Sequence, residues 1–498
     1  MDTPIERLSI AGQRVAPHSG NYYEDSNPAD SQVLARIAEG DAADVNTAVE
    51  AAIKAQREWS SLPTLERRAV LMRLAEAIDR NKGRLATLDS QDAGKPIRLV
   101  RKFDVPQSSR VLGYYANLID TEDPAIADAP PFGIAGIVVP SNYPLVLLTY
   151  YLAPALAARN AVIVKPSPEA PRSALYLADL AKEAGLPDGL INVITGGSNP
   201  ARAIVEHPDI HKIAFTGGTE TGRTIEMAAR PYQKSLTLEL GGKSPMIVCA
   251  DAVADELSLQ EVIATIYDAV FLNTGQLCTA ASRLLIEHEV YERVVGHLVK
   301  YAKEKERLIG PPSRLETELG PLIAERYLQT TLGYAERARK DGATYAHGGI
   351  RLQEGEFAKG HFMTPVIFTW VPDNSPLAQE EVFGPVLAVL EPFNTLEEAV
   401  QRANNSRYGL AAGIQTTDPA KVRYAYDNLE VGTVWVGKTY NRFSPEMPFG
   451  GRKDSGHGAG LGREGFFEFV SGGEKSTVHS LWLPSSMKRE EVFGARAD

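Results

Sequence analysis

From Ala42 to Trp59, and again from Thr64 to Ile78, apolar residues recur three and four positions apart, the spacing that lines one face of a helix. The stretch Asp92–Pro96, DAGKP, is a stop signal. The first hundred residues therefore read as helical and poor in strands. From Gly133 onward the period changes, and short β-branched runs alternate with helical stretches. Strands are predicted at Ile134–Val139, Ala161–Val164, Ile191–Ile194 and Lys212–Thr216. Helices are predicted between them at Tyr151–Ala158, Ser173–Ala184 and Ala201–His207, and after them at Thr221–Ala229. The strand segments are continuously apolar, as expected for a parallel sheet covered on both faces. Open α/β sheets of this kind bind dinucleotides outside the carboxyl ends of their strands.

A second α/β series follows Gly241. It includes strands at Met246–Val248, Ala411–Ile414 and Thr433–Val436, and helices at Glu289–Glu304, Leu396–Asn404 and Ala420–Leu429. The tail from Glu474 to Leu483 reads as one more strand. The chain has 498 residues. A single core stops growing near ~250–300 residues, so two or more lobes are expected.

Composition narrows the class. The sequence is 44% hydrophobic and 23% charged, which suits a globular protein. A net charge of −11 argues against non-specific nucleic-acid binding. The two cysteines, Cys249 and Cys278, are few for a secreted chain of this size and point to a reducing compartment. The opening MDTPIERLSI has early acids and no apolar core of a signal peptide. The longest nearly apolar run, Tyr143–Ala158, contains two prolines and falls short of the roughly 20 residues that span a bilayer. It reads as a buried helix start. A cytoplasmic protein without nucleic-acid or membrane partners is expected.

Several residues carry candidate chemistry. Cys278, in NTGQLCTAASR, sits between a polar turn and small residues, whereas Cys249 lies in an apolar run, SPMIVCADA. The first reads as a nucleophile or an inert small hydrophobe, the second as structural. Glu239 lies inside the apolar strand LTLELGG, where an acid is costly unless paired or functional; it reads as a buried ion pair or a general base. Asn142, in VVPSNYP, follows a strand and reads as a helix cap or as an amide donor to an oxyanion. FTGGTETG, Phe215–Gly222, joins a strand to a helix, where glycines free the backbone for a phosphate. Lys165 in VIVKPSP ends another strand, within reach of a ribose or phosphate, or in solvent. Glu381 in EEVFGP could bind ribose hydroxyls or belong to a plain loop. Neither HExxH nor paired CxxC occurs, so no metal site is expected.

Taken in order, PSNYP, VIVKPSP, FTGGTETG, LELGGKSP, NTGQLCTAASR, EEVFGPV, NNSRYGLAAGI and PFGGRKDSG resemble the aldehyde dehydrogenase superfamily, from about Asn27 to Gly465. The resemblance implies that Cys278 is the nucleophile, Glu239 the general base and Asn142 the oxyanion-hole amide. It assigns Lys165, with Ser167 and Pro168 in the same turn, to a ribose of NAD or NADP. Gly217 and Gly218 match the phosphate-side turn, and Glu381 and Phe383 the nicotinamide-ribose contacts. It implies a Rossmann-like cofactor domain (1–110 and 133–242), an α/β catalytic domain (243–470), and an oligomerisation hairpin with a tail strand (111–132 and 471–498). A homodimer or homotetramer acting on a small-molecule aldehyde is implied. A coenzyme A-acylating relative is disfavoured by Glu239, and a non-catalytic structural relative by the joint presence of Cys278, Glu239 and Asn142. Three departures concern the site. Ser141 stands where many members have tryptophan, Gly218 replaces a frequent serine, and Pro168 stands where NAD-preferring members often have glutamate. The proline cannot bind the adenosine 2′-hydroxyl and is expected to limit how the turn brings Glu169 inward, so NADP is expected to be accepted.

Overall fold

All five residues of Ile134–Val138, Ala161–Lys165 and Lys212–Thr216 are buried. Strands apolar on both faces belong in the middle of a sheet with helices on both sides. In the computed structural model, which describes residues 3–472 and 478–494, they occupy the centre of an eight-stranded sheet. Its parallel core runs Ser235–Glu239, Lys212–Thr216, Ile134–Val138, Ala161–Lys165, Ile191–Val193. The chain builds outward from Ile134–Val138 in one direction, then returns to build in the other. The order therefore reverses between Ile134–Val138 and Lys212–Thr216, and a crevice opens there at the carboxyl ends. Register keeps those ends level: Val138 pairs with both Lys165 and Phe215, and Glu239 pairs with Thr216.

The second eight-stranded sheet follows the order Thr344–His347, Val366–Val371, Val386–Leu390, Arg283–Ile286, Pro245–Val248, Ala411–Gln415, Thr433–Val436, Ser480–Trp482. Its neighbours are parallel except at the Thr344–His347 edge. The apolar run from Tyr143 forms the helix Pro144–Ala157, wholly buried, and begins earlier than expected because Pro144 suits a first helical turn. Among the described residues no helix is long and apolar enough to cross a membrane.

Three expectations need correction. The N-terminal region is not strand-poor, since Ile5–Glu6, Leu8–Ile10, Gln13–Val15, Tyr22–Ser26 and Val33–Ala38 precede the helix Ala42–Ser61. These strands are two to six residues long, too short to carry a clear period. Residues 111–132 do not form a hairpin. They hold the end of helix Val105–Leu118 and the short helix Pro124–Ala127, because Val111, Leu112, Tyr115 and Ala116 bury one helical face. Gly456–His457, from the stretch expected to be catalytic, pairs antiparallel with Ser235–Glu239 in the first sheet. In the expected tail strand, 474–477 lie outside the described residues, and Ser480–Trp482 pairs parallel with Thr433–Val436.

Candidate active site

The level carboxyl ends of the first sheet open into a cavity of about 1020 Å³. Cys278, Asn142, Lys165, Ser167, Pro168, Gly217, Gly218, Glu381 and Phe383 all line it; Glu239 does not. The ends of three strands of the first sheet and the loops after them bring Asn142, Lys165 and Gly217 to one edge, and Cys278, Glu381 and Phe383 meet them from segments that precede strands of the second sheet.

Cys278 is held by a tightly wound loop. Asn273, Thr274 and Gly275 all take positive φ, and a side chain on Gly275 would lie 2.3 Å from the Gly384 carbonyl oxygen. Only glycine meets both demands. On the far side the Tyr440 hydroxyl donates to the Thr279 carbonyl at 2.7 Å, and Thr279 Oγ1 donates to Asn441 Oδ1 at 2.8 Å. Burial pushes the Cys278 thiol up to about 12, Glu381 and Glu239 add to the rise, and the backbone N–H groups of Cys278 and Thr279 oppose it. At neutral pH the sulfur therefore carries its proton until a positive charge or a base acts on it.

Asn142 is not a helix cap. The following helix starts from Tyr143 without a side-chain cap, and Asn142 Nδ2 instead donates to the Gln276 carbonyl at 3.0 Å. In return Asn273 Nδ2 donates to the Asn142 carbonyl at 3.1 Å. One N–H of the amide thus braces the cysteine loop, which leaves the second N–H available at the cavity.

Glu239 ends its strand behind the cavity wall. It is 4% exposed, and neither carboxyl oxygen has a hydrogen-bond partner. Burial, with Glu468 adding to it, holds the carboxyl well above the usual range. The ion-pair alternative is thereby excluded, and the group is a neutral acid at rest. The two glycines after it serve close approach. A Cβ on Gly242 would lie 2.3 Å from the Cys278 carbonyl oxygen, and one on Gly241 2.3 Å from Glu381 Oε2. The LELGG turn and the cysteine loop therefore touch through backbone. Beside Glu239, its register partner Thr216 shares a 2.7 Å hydrogen bond with the Tyr151 hydroxyl.

The rest of the cavity fits a dinucleotide. Gly218 is the N-cap of helix Thr219–Ala229, without a side-chain cap and with open space where a Cβ would stand. That leaves backbone N–H groups and the positive end of the helix dipole for a phosphate. Lys165 is buried, and its ammonium is pushed down to about 8 by burial, with Glu169 opposing. Glu381 Oε1 accepts from the Gly242 N–H at 3.0 Å, and burial raises its carboxyl to about 7. Phe383 sits at φ +55°, rare for an aromatic residue, with its ring 6.3 Å from that of Tyr327.

The turn after Lys165 departs from expectation. The Ala170 N–H donates to the Ser167 carbonyl at 3.1 Å, which makes Ser167–Ala170 a β-turn with Pro168 at its second position. Proline pre-sets that position. It aims Glu169 at the cavity instead of restraining it, and Glu169 lines the same wall.

Sequence reading missed Arg326, Tyr327 and Lys243. Arg326 and Tyr327 begin a helix, Glu325–Lys340, of the second half and carried no local signal. Lys243, a lysine in the run LELGGKSP, could have been noticed; its Nζ is buried without a partner, and burial lowers it to about 7. Among the aromatic residues near the site, Tyr143, Tyr150, Tyr151 and Phe449 are all buried. Phe443 packs with Phe103 at 6.2 Å, Phe449 at 5.3 Å and Trp435 at 5.6 Å, and Phe103 meets Tyr143 edge-on at 6.3 Å. Arg442 is exposed.

Known proteins share this arrangement. The sequence profile described as "Aldehyde dehydrogenase family" matches residues 15–472. The mitochondrial aldehyde dehydrogenase of Leishmania tarentolae is 40% identical over 472 residues, 92% of each chain. Human retinaldehyde dehydrogenase 3 is 40% identical over 485 residues, 94% of this chain and 92% of its own. The NAD+ complex of an aldehyde dehydrogenase from Bacillus cereus superposes with a TM-score of 0.88 at 38% identity, covering 94% of this chain and 95% of the other. With the sheet order, the cavity at the strand ends and these matches in agreement, the chain belongs to the aldehyde dehydrogenase family and is an NAD(P)-dependent oxidoreductase that oxidises an aldehyde.

Proposed function

We propose that Cys278 performs the chemistry, with Asn142 and Glu239 in support. The observation that carries this reading is that Cys278 and Asn142 stand in the same cavity as Lys165 and an uncapped helix N-terminus. NAD(P)+, when bound, supplies the hydride acceptor and a positive charge near the thiol. Lys165, Ser167 and Pro168 hold the ribose side, Gly217 and Gly218 the phosphates, and Glu381 and Phe383 the nicotinamide ribose. Cys278 Sγ, as thiolate, adds to the aldehyde carbon. The second N–H of Asn142 and the backbone N–H of Cys278 hold the oxyanion. Hydride departure leaves a thioester on Cys278. Glu239, deprotonated, takes a proton from water, the hydroxide oxygen bonds to the thioester carbon, the C–S bond breaks with its electron pair returning to Cys278 Sγ, and the carboxylic acid departs. Both Glu239 oxygens lack hydrogen bonds, so the side chain can turn towards the cysteine without breaking any. A base in this position favours release of the free acid over transfer to coenzyme A.

Asn142→Ala lowers kcat by roughly 10²–10³, the effect of losing one oxyanion donor. Steady-state kinetics checks this, and a normal kcat would reduce Asn142 to a brace for Gln276. Turnover also rises with pH. Cys278 and Glu239 are both needed deprotonated, and burial raises both. The active forms therefore grow as pH increases through the neutral and mildly alkaline range, and a kcat profile that falls between pH 7 and 9 contradicts the assignment.

We further propose an apolar or aromatic aldehyde as substrate. The cluster of Phe103, Tyr143, Phe443 and Phe449 supports this, as does the likeness to a relative named for retinaldehyde. An aldehyde panel assayed with NAD and NADP in parallel tests it. The cofactor unit is proposed as 1–110 with 133–242, joined by the strand Gly456–His457, and the catalytic unit as the rest of 243–470. The proposed assembly is a homodimer or homotetramer using 111–132 and the tail. Both cysteines are free thiols, which supports a reducing, cytoplasmic location, although the Leishmania relative is mitochondrial.

A further inference from the structure

The cavity has one polar link across it that the catalytic reading leaves unused. Glu169 comes from the turn after the first sheet's strand Ala161–Lys165, and Arg326 from the helix Glu325–Lys340 of the second half. Their carboxylate and guanidinium form an ion pair, and both residues line the cavity. Ser167 Oγ donates to the other oxygen of Glu169. Burial raises the Glu169 carboxyl, but the hydrogen bonds from Ser167 and Arg326 outweigh it and hold the group below its ordinary range, so it is charged. The Arg326 guanidinium lies 4.7 Å above the Tyr327 ring, which gives it a second support when the pair opens.

The two partners have opposite tastes. A carboxylate accepts hydrogen bonds from vicinal hydroxyls and repels a phosphate. A guanidinium binds a phosphate through a two-pronged fork. Both sit beside Lys165, Ser167 and Pro168, the turn assigned to a ribose under the proposed function, on which this inference rests. Arg326 is 59% exposed in its side chain, and an ion pair so open to water is weak and readily exchanged.

We infer that Arg326 is the residue that reads a 2′-phosphate, and that Glu169 competes for it, so that this one ion pair sets the choice between NADP and NAD. With a 2′-phosphate present, Arg326 leaves Glu169 for the phosphate. With a 2′-hydroxyl, the pair persists or Glu169 accepts from the hydroxyl.

The experiment is calorimetric binding of adenosine 2′,5′-bisphosphate and of adenosine 5′-monophosphate to the full chain, with Arg326→Ala, Arg326→Lys and Glu169→Gln as variants. Arg326→Ala should weaken the bisphosphate by about tenfold or more, as expected for lost hydrogen bonds to a charged group. It should change the monophosphate about twofold at most, and Arg326→Lys should restore part of the loss. Glu169→Gln should tighten the bisphosphate and weaken the monophosphate. The ratio of kcat/KM for NADP over NAD should move in the same directions. Equal losses for both nucleotides in Arg326→Ala would show a strap between the two halves and overturn the inference. Failure of the parent protein to bind either nucleotide would overturn the cofactor assignment of the cavity, and this inference with it.

Discussion

Replacing Cys278 with alanine abolishes aldehyde oxidation, a loss on the order of 10⁴-fold or more, because without the thiolate no thiohemiacetal forms from which hydride can leave. The dinucleotide still binds, since none of its proposed contacts involves the sulfur. Loss of the thiol leaves the surrounding loop supported by Gly275, by the Asn142–Gln276 hydrogen bond and by the Tyr440–Thr279 hydrogen bond. Cys249 is the internal control. It is 1% exposed at the end of Pro245–Val248, and burial raises its thiol to about 12. Cys249→Ala should retain most of the activity. Parallel measurement of turnover by cofactor reduction and of nucleotide affinity by calorimetry decides the matter. A dead Cys249 variant beside a live Cys278 variant would reverse the assignment.

Glu239→Gln should separate the two halves of the reaction. The thioester forms, but its hydrolysis loses a general base, an effect of about 10²–10⁴-fold. Rapid mixing should show a burst of about one reduced cofactor per active site, followed by slow turnover. The variant keeps the shape of the side chain and breaks no hydrogen bond, because neither carboxyl oxygen has a partner. A change in the second step therefore reports chemistry and not folding. Steady turnover at the parent rate, without a burst, would remove Glu239 from the mechanism.

The site was legible where chemistry sits in a short, unusual string. Cys278 beside Gly275, Glu239 in an apolar strand, and the glycines of FTGG each conflict with their surroundings unless a function requires them. Asn142 was readable as a helix cap or as an amide donor, and only the fold decides against the cap. Its role turns on the Gln276 carbonyl, 134 positions away, which takes one of its N–H groups. Glu169 was misjudged because a proline was read as a restraint, whereas the Ser167–Ala170 hydrogen bond makes it the second residue of a turn that faces inward.

The chain's hydrophobic pattern by itself determined the alternation of buried strands and helices, and hence a parallel α/β sheet with its reactive edge at the strand ends. That information is local: a run such as AVIVK is apolar on both faces and has one stable place to go. The strands Ile5–Glu6, Leu8–Ile10 and Gln13–Val15 and the insertion of Gly456–His457 into the first sheet were decided by tertiary pairing, because two or three residues carry no period of their own. The same holds for the electrostatics. Only the assembled fold withdraws water from Glu239 and Cys278 and raises both groups. Only the fold sets Arg326 against Glu169, since desolvation and ion pairing depend on what surrounds a side chain in space and not on its neighbours in sequence.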